Sequence, residues 1–384
     1  MGKGQNMKKA LNIKNSWESS SILIIASILV TCAAAAGSSD NRVADLLEPI
    51  RQKYKLPALA GAVVTGRGLE AIGATGVRKA GTPVSVTVED EWHLGSDTKA
   101  MTATIIARLV ERGKLSWETT LGQVFPGLAR SMNPQMRDVT VLELLSHRAG
   151  LPHDVPWRQF SSSGRSLREQ REDVVKMVGS MQPATPPGSK YEYSNVGYVL
   201  AGAIAERITG ESWEDLIHRI VFEPLRMTSA GFGGLGTPGK IDQPWPHYAS
   251  GQPLPGNGPT VDNPEVMGPA GTVHCSLSDW AKFVADQLRG DRGERALLAP
   301  ESYKRLHSPP FGGDYAMGWL VVERPWGGGT VLNHAGSNTM NYAVAWVAPR
   351  RDFAVLVCTN QGGDSAVKGT DEAAAALIKL HQDR

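Results

Sequence analysis

Excess charge is almost absent from this chain: 40 basic residues stand against 38 acidic ones in 384, a formal charge of +2. With no net field and no Lys/Arg run, there is no electrostatic footprint for a nucleic-acid partner. Cysteine is scarce, with three in the whole chain. Nothing in the placement of Cys275 and Cys358 brings them together, so no disulfide framework is expected. The nine histidines are scattered, without a His-x-His or His-Glu-x-x-His cluster. A metallohydrolase lacks its ligands on that count, and no cofactor or metal is expected. Also missing are an internal repeat at solenoid periods and the Gly-x-Ser-x-Gly elbow of α/β-hydrolases.

What remains is a globular composition, 41% apolar and 20% charged. Its length can bury one large core or two lobes. Lys3, Lys8, Lys9 and Lys14 precede an apolar run from Ile22 to Val30 and then Cys32-Ala33-Ala34-Ala35-Ala36. The run is shorter than the roughly 20 residues of a membrane-spanning helix. A basic segment, a short apolar run and small residues together read as a signal peptide over 1–36. The expected product is exported, periplasmic or extracellular, with no transmembrane helix in the mature chain. Leu29-Val30-Thr31-Cys32 also resembles a lipoprotein cleavage box, which makes Cys32 a candidate lipid anchor, although Thr is not the usual residue before the Cys.

Residues 37–384 read as a single catalytic domain. Asn41–Lys53 has helical spacing, and Leu59–Val64 and Leu69–Ala74 read as a hairpin. From Ser96 to about Leu225 the pattern is helical. One helix spans Asp97–Arg112. Another starts at the capping box Thr140/Glu143 and closes at Gly150 and Pro152. Asn195–Thr209 ends at Gly210, and Ser212–Val221 follows. Ala230–Thr272 is rich in Gly and Pro, without periodicity, and is expected to wall a site. Tyr315–Val322, Thr330–Asn333, Asn341–Val347 and Asp352–Thr359 read as strands before a last helix, Thr370–His381. This order predicts an α/β fold of the α+β type: an antiparallel sheet flanked by the terminal helices, with an all-helical lobe beside it. The α/β lobe takes about 37–95 and 272–384, the helical lobe and loops about 96–271, and the cleft lies between them.

Three short constellations carry chemistry. In Ser96-Asp97-Thr98-Lys99, Ser96 reads as the N-cap of the helix that begins at Asp97. A cation in the first turn opposes the helix dipole, and that field together with burial would lower the Lys99 pKa. A hydroxyl and an amine one turn apart make a serine–lysine nucleophile. Ser365-Ala366-Val367-Lys368 has the same spelling. Its Gly-rich turn, with no amphipathic helix behind the Ser, assigns it to chance. In Tyr193-Ser194-Asn195, a Tyr hydroxyl near Lys⁺ would ionise more easily and shuttle a proton, while the Asn amide, otherwise a helix cap, would orient Lys99 or a substrate carbonyl. His334-Ala335-Gly336 stands at a strand end, where Gly336 and Ser337 could bring a backbone N–H to a substrate as an oxyanion hole.

Together these residues resemble the class C β-lactamase family, the penicillin-recognising serine hydrolases. Its elements Ser-x-x-Lys, Tyr-x-Asn and [Lys/His]-x-Gly occur in the family's order at Ser96, Tyr193 and His334, flanked by similar stretches at Thr140–Pro152, Pro187–Gly210 and Gly268–Val273. The resemblance covers about Val43 to Leu380 and implies the two-lobed β-lactamase/transpeptidase-like fold. It implies Ser96 as the acylated nucleophile and Lys99 as its base or base partner. Tyr193 would be the proton relay, and Asn195 would hold substrate or Lys99. His334 and Gly336 would line the strand edge, and the N–H groups of Ser96 and Ser337 would form the oxyanion hole. The implied activity is hydrolysis of esters or amides, among them D-amino-acid peptides and β-lactams, with a small-molecule or peptidoglycan-like substrate as partner. Class C β-lactamases carry Lys where His334 stands, which sets this chain nearer to the D,D-peptidase-like and esterase-like members. The alternative is a β-lactam or peptidoglycan-fragment binding protein with little turnover. The oligomeric state is left open.

Overall fold

The computed structural model describes residues 41–161 and 164–383, all within one compact unit. The signal-peptide segment and Cys32 lie outside the described residues.

Nine strands are described: β1 (Ala58–Thr65), β2 (Gly68–Gly76), β3 (Glu91–His93), β4 (Gly231–Phe232), β5 (Val273–Ser276), β6 (Leu320–Arg324), β7 (Gly329–Ser337), β8 (Tyr342–Ala348) and β9 (Phe353–Thr359). Six form one sheet in the order β2-β1-β9-β8-β7-β6, and every pairing within it is antiparallel. The pleat explains its two faces, because successive side chains point to opposite sides. Ala58, Ala60, Ala62 and Val64 of β1 join one apolar cluster, while Leu59 and Val63 join another.

Six helices position the rest: α1 (Asn41–Tyr54), α2 (Thr98–Glu111), α3 (Leu167–Gly179), α4 (Asn195–Thr209), α5 (Leu277–Asp291) and α6 (Asp364–Gln382). Val43, Leu47 and Ile50 of α1, with Ala373, Leu377 and Ile378 of α6, cover the Leu59/Val63 face. Trp280, Phe283, Val284 and Leu288 of α5 cover the opposite face and continue into the helical block. This is the mixed α/β arrangement expected, an antiparallel sheet with the terminal helices on one side. A small sheet, β3-β5-β4, carries the chain into the Ser96 turn. Within the helical block the buried Arg171 of α3 donates to Glu206 of α4 at 2.5 Å and to Glu214 at 2.6 Å. It also donates to the carbonyl of Val266, which anchors the end of the long loop.

Several boundaries differ from the sequence reading, each for a physical reason. The helix begun by the Thr140/Glu143 capping box ends at Leu145 rather than at Gly150. Ser146 is its C-cap and His147 takes a left-handed conformation at φ 58°. The helix capped by Ser212 runs to Ile217 and then widens into a π turn at His218–Phe222. Tyr315–Trp319 is not strand, since Gly318 at φ +85° turns the chain over α2, where a Cβ would lie 2.6 Å from Ala100 Cα. The last helix starts at Asp364 rather than Thr370, so Ser365 does have a helix behind it. The second Ser-x-x-Lys is set aside for another reason: Lys368 is exposed to solvent. Cys275 and Cys358 are free and buried. Among the described residues no helix is long and apolar enough to cross a membrane.

Candidate active site

Ser96 sits inside a single 3-10 turn, Gly95–Asp97, between β3 and α2. It does not cap α2: Asp97 holds the N-cap position, without a side-chain bond. The Ser96 hydroxyl is therefore available to other groups, and two meet it. Lys99 Nζ lies 2.9 Å and Tyr193 Oη 2.8 Å from Ser96 Oγ.

Lys99 is fully buried. Besides Ser96, its amine donates to Asn195 Oδ1 at 2.8 Å and to the carbonyl of Ala270 at 2.7 Å. Burial pulls its pKa down to about 7, while the carboxylate of Asp154 opposes that fall. A neutral amine has two N–H groups and one lone pair. With the two N–H groups held by Asn195 and Ala270, the lone pair points at Ser96 Oγ. The arrangement can thus take the serine proton. The Ala270 carbonyl is itself fixed, since the preceding Pro269 carbonyl accepts from Thr102 of α2 at 2.8 Å. Asp154 Oδ1 accepts from Asn195 Nδ2 at 3.0 Å and from Trp157 Nε1 at 2.8 Å, which turns the amide oxygen of Asn195 toward Lys99. Neither Ala270 nor Asp154 stands out in the sequence. Gly268–Val273 carries only a family likeness, and a lone Asp in a Pro-rich loop carries no local signal.

Asn195 is the first residue of α4, and its neighbour Ser194 is the cap, accepting from Gly197 N at 3.4 Å. Tyr193 packs against the buried His147 ring at 4.3 Å between centroids, and His147 also meets Tyr198 and Tyr315. This aromatic wall removes water from the phenol, and burial pushes the Tyr193 pKa up. Against the expectation that Lys99 would ease its ionisation, desolvation outweighs the hydrogen bond to Ser96, and Tyr193 rests as a phenol that donates to Ser96 Oγ.

The third group lies on β7. β6 pairs with β7 only as far as Asn333, so the edge from His334 to Ser337 is left for the Ser96 turn. Backbone meets backbone there: a Cβ on Gly95 would lie 2.3 Å from Ser337 N, and one on Gly336 2.5 Å from Ser96 N. His334 is 4% exposed, and its ring turns inward, with Nε2 3.2 Å from Tyr315 Oη. Burial, with Lys99 nearby, pushes its pKa down to about 3. Asp97, 4.0 Å from His334 Nδ1, is pushed well up by burial. Both are driven toward their neutral forms, so the proximity is not an ion pair.

A cavity of about 500 Å³ abuts this centre, lined by Asp154, Trp157, Arg158, Asn195, Met267 and Ser337 among others. Asn263, Pro264 and Met267 come from the 230–272 loop, which walls the site as expected. The lining includes Asn195 and Ser337 but not His334.

The electrostatics give a pH prediction. The rate of covalent labelling by a fluorophosphonate should rise with pH as Lys99 loses its proton, with a midpoint near its value of about 7. Below that midpoint it should fall about tenfold per unit. A profile flat across the midpoint would exclude Lys99 as the base.

The Beta-lactamase family profile matches residues 43–379. Protein flp of Staphylococcus aureus (strain COL) is 24% identical over 336 residues, 86% of this chain and 65% of its own length. The chain thus spans less than two thirds of the flp proteins that it matches. Penicillin-binding protein 4 of Amycolatopsis lactamdurans is 26% identical over 341 residues, 82% of this chain and 84% of the relative. Two solved structures share the fold. The octameric penicillin-binding protein homologue from Pyrococcus abyssi has a TM-score of 0.71 at 21% identity, covering 88% of this chain and 77% of that one. The D-alanine carboxypeptidase AmpC from Burkholderia cenocepacia has a TM-score of 0.70 at 18% identity, covering 88% and 99%. With its three motifs gathered around one serine, the chain belongs to the beta-lactamase family.

Proposed function

We propose that this protein is an exported serine hydrolase that forms an acyl-enzyme at Ser96. The observation that carries the reading is the Lys99 amine, buried, with its two N–H groups directed to Asn195 and Ala270 and its remaining position facing Ser96 Oγ. Lys99 takes the serine proton as Oγ attacks an ester or amide carbonyl, and the backbone N–H groups of Ser96 and Ser337 receive the oxyanion. Tyr193, in contact with Ser96 Oγ, relays a proton to the leaving alcohol or amine as the carbonyl–leaving-group bond breaks. Water then attacks the acyl-enzyme, the same groups return the proton to Ser96, and the acid is released. Export rests on the basic segment and the Ile22–Val30 run, and Cys32 is the residue a lipid anchor would use.

His334 steers the substrate reading. A Lys at this position would offer a permanent ammonium to a substrate carboxylate, whereas the neutral, buried imidazole does not. Neutral esters are accordingly preferred over cephalosporins, and D-amino-acid peptides enter through the resemblance to D,D-peptidase-like members.

The test has two parts. A fluorophosphonate should add one phosphonyl group, mapped by peptide mass spectrometry to the peptide that carries Ser96; modification elsewhere would sink the assignment. In a panel of p-nitrophenyl esters, D-Ala-D-Ala peptides and nitrocefin, sustained turnover is expected for an ester or a peptide, with nitrocefin the poorest. A burst without a steady state on every member would favour the binding-protein reading, to which the same neutral His334 also points.

A further inference from the structure

Asp262 belongs to the 230–272 loop, and no motif includes it. Its carboxylate side chain is 1% exposed. One oxygen, Oδ2, accepts from His93 Nε2 at 2.8 Å, and the other, Oδ1, accepts from Asn338 Nδ2 at 2.8 Å. Each partner leads to one half of the proposed oxyanion hole. His93 Nδ1 accepts the N–H of Gly95 at 3.1 Å, the residue that opens the Ser96 turn. That bond places the ring hydrogen on Nε2, where it faces Asp262. Asn338 follows Ser337. Its Oδ1 accepts from Met340 N at 3.2 Å, from Asn341 N at 2.9 Å and from Asn341 Nδ2 at 3.1 Å. Three donors on that oxygen fix the amide, so Nδ2 must face Asp262.

The bonds run without a break from Gly95 through His93, Asp262 and Asn338 to the turn after β7. An oxyanion hole works only if its donors are held in place before charge develops. Ser96 N and Ser337 N come from separate elements, β3–α2 and β7. They meet at glycines whose backbones touch and bring no side chains of their own to the seam. Burying a carboxylate is costly unless it is well paired. Here the cost is met by neutral donors at a point that ties both elements together. The next residues, Asn263 and Pro264, line the substrate cavity, so the wall that touches a substrate is continuous with this clamp.

We infer that Asp262 is a positioning residue that holds the two halves of the oxyanion hole in register and couples them to the substrate-facing loop. The inference rests on the acyl-enzyme reading above.

Hydrogen-bond polarity supplies the test. In Asp262→Asn, the amide oxygen can serve His93 or Asn338, but the other donor then faces an N–H. The double variant Asp262→Asn/Asn338→Asp exchanges the two side chains. Its amide at position 262 accepts from His93 and donates to the carboxylate at position 338, whose second oxygen accepts the three donors of the turn. Rates are normalised to active sites titrated with fluorophosphonate and measured well below each melting midpoint. Phenylboronic acid, which forms a tetrahedral adduct on a serine oxygen, reports the hole without turnover. Asp262→Asn should lower kcat on a p-nitrophenyl ester and the affinity for phenylboronic acid together, each about tenfold to a hundredfold, with KM changed by less than about threefold. The double variant should recover both to within about threefold of wild type. A loop that served only stability would shift the melting midpoint and leave the normalised kcat and boronate affinity alone, and that result overturns the inference. So does a double variant that melts with wild type but recovers neither quantity. If Asp262→Asn does not fold, recovery of both in the double variant supports the clamp. A wild-type protein that neither binds phenylboronic acid nor turns over any ester overturns the hydrolase reading itself. A competent wild type with an unchanged Asp262→Asn overturns only the clamp.

Discussion

Ser96→Ala and Lys99→Met should each reduce kcat on an ester by a factor on the order of 10⁴ to 10⁶, and the double variant should lose no more than the worse single. The reason is that the two side chains act as one nucleophile. Without Ser96 Oγ there is no atom to acylate. Without the Lys99 amine, Ser96 Oγ keeps its proton and only the Tyr193 hydroxyl touches it, a donor whose own pKa burial has pushed up. Methionine approximates the length of the buried lysine stem while removing the base. Lys99→Arg should fare no better, because a guanidinium does not give up its proton. Single-turnover acylation and the steady state should report the same ordering. Losses that multiplied in the double variant, or a Lys99→Met protein keeping a tenth of wild-type activity, would show that the proton leaves by another route.

Gly336→Ala is expected to be the next most damaging, although it adds one methyl group and replaces no residue proposed to move a proton. Its Cβ would lie 2.0 Å from Leu94 O, 2.5 Å from Ser96 N and 2.9 Å from Asp97 N. All three are backbone atoms, so no rotamer change relieves the contact. The Ser96 turn must back away from β7, which separates the N–H of Ser96 from that of Ser337. Losing the service of one oxyanion donor costs roughly 10²–10³ in kcat. Overpacking of this kind adds a stability loss of about 1–3 kcal/mol. Gly127→Ala is the control, because a Cβ there meets nothing within 4 Å. If Gly336→Ala is acylated at the wild-type rate, the two elements do not need this closeness and the placement of the oxyanion hole is wrong.

The parts of the molecule that can be read locally are those whose cause is local. Thr140 and Glu143 form the reciprocal capping bonds that their spacing announces, and Gly210 ends α4 in the left-handed conformation that favours glycine. The unbroken apolar runs of β1 and β9, buried on both faces, mark the middle of the sheet. Errors arise where tertiary contacts override local signals. Gly369 looks like a reason to start the last helix late, yet it lies inside α6 because a Cβ there would press on Leu56. Ser96 looks like a cap because a cap and a nucleophile share a residue type and a position, and only the 3-10 turn separates them. At the site, the motifs locate the reacting groups but not their supports. Lys99 and the Ala270 carbonyl are 171 positions apart, and His93 and Asp262 are 169 apart. A single hydrogen bond across such a span leaves no periodicity or composition bias in either segment.

The place of β1 in the sheet has a consequence for how the protein is made. β1 lies between β2 and β9, with Ala60 opposite Cys358, and α1 packs with α6 over the same face. The earliest strand therefore waits for the latest one, and loop-closure entropy makes such distant pairing slow. While a ribosome is still extending the chain, β1 and the first helix can meet β2 but neither β9 nor α6. The six-stranded sheet and the helix pair that covers one face are complete only once β9 and α6 have been made.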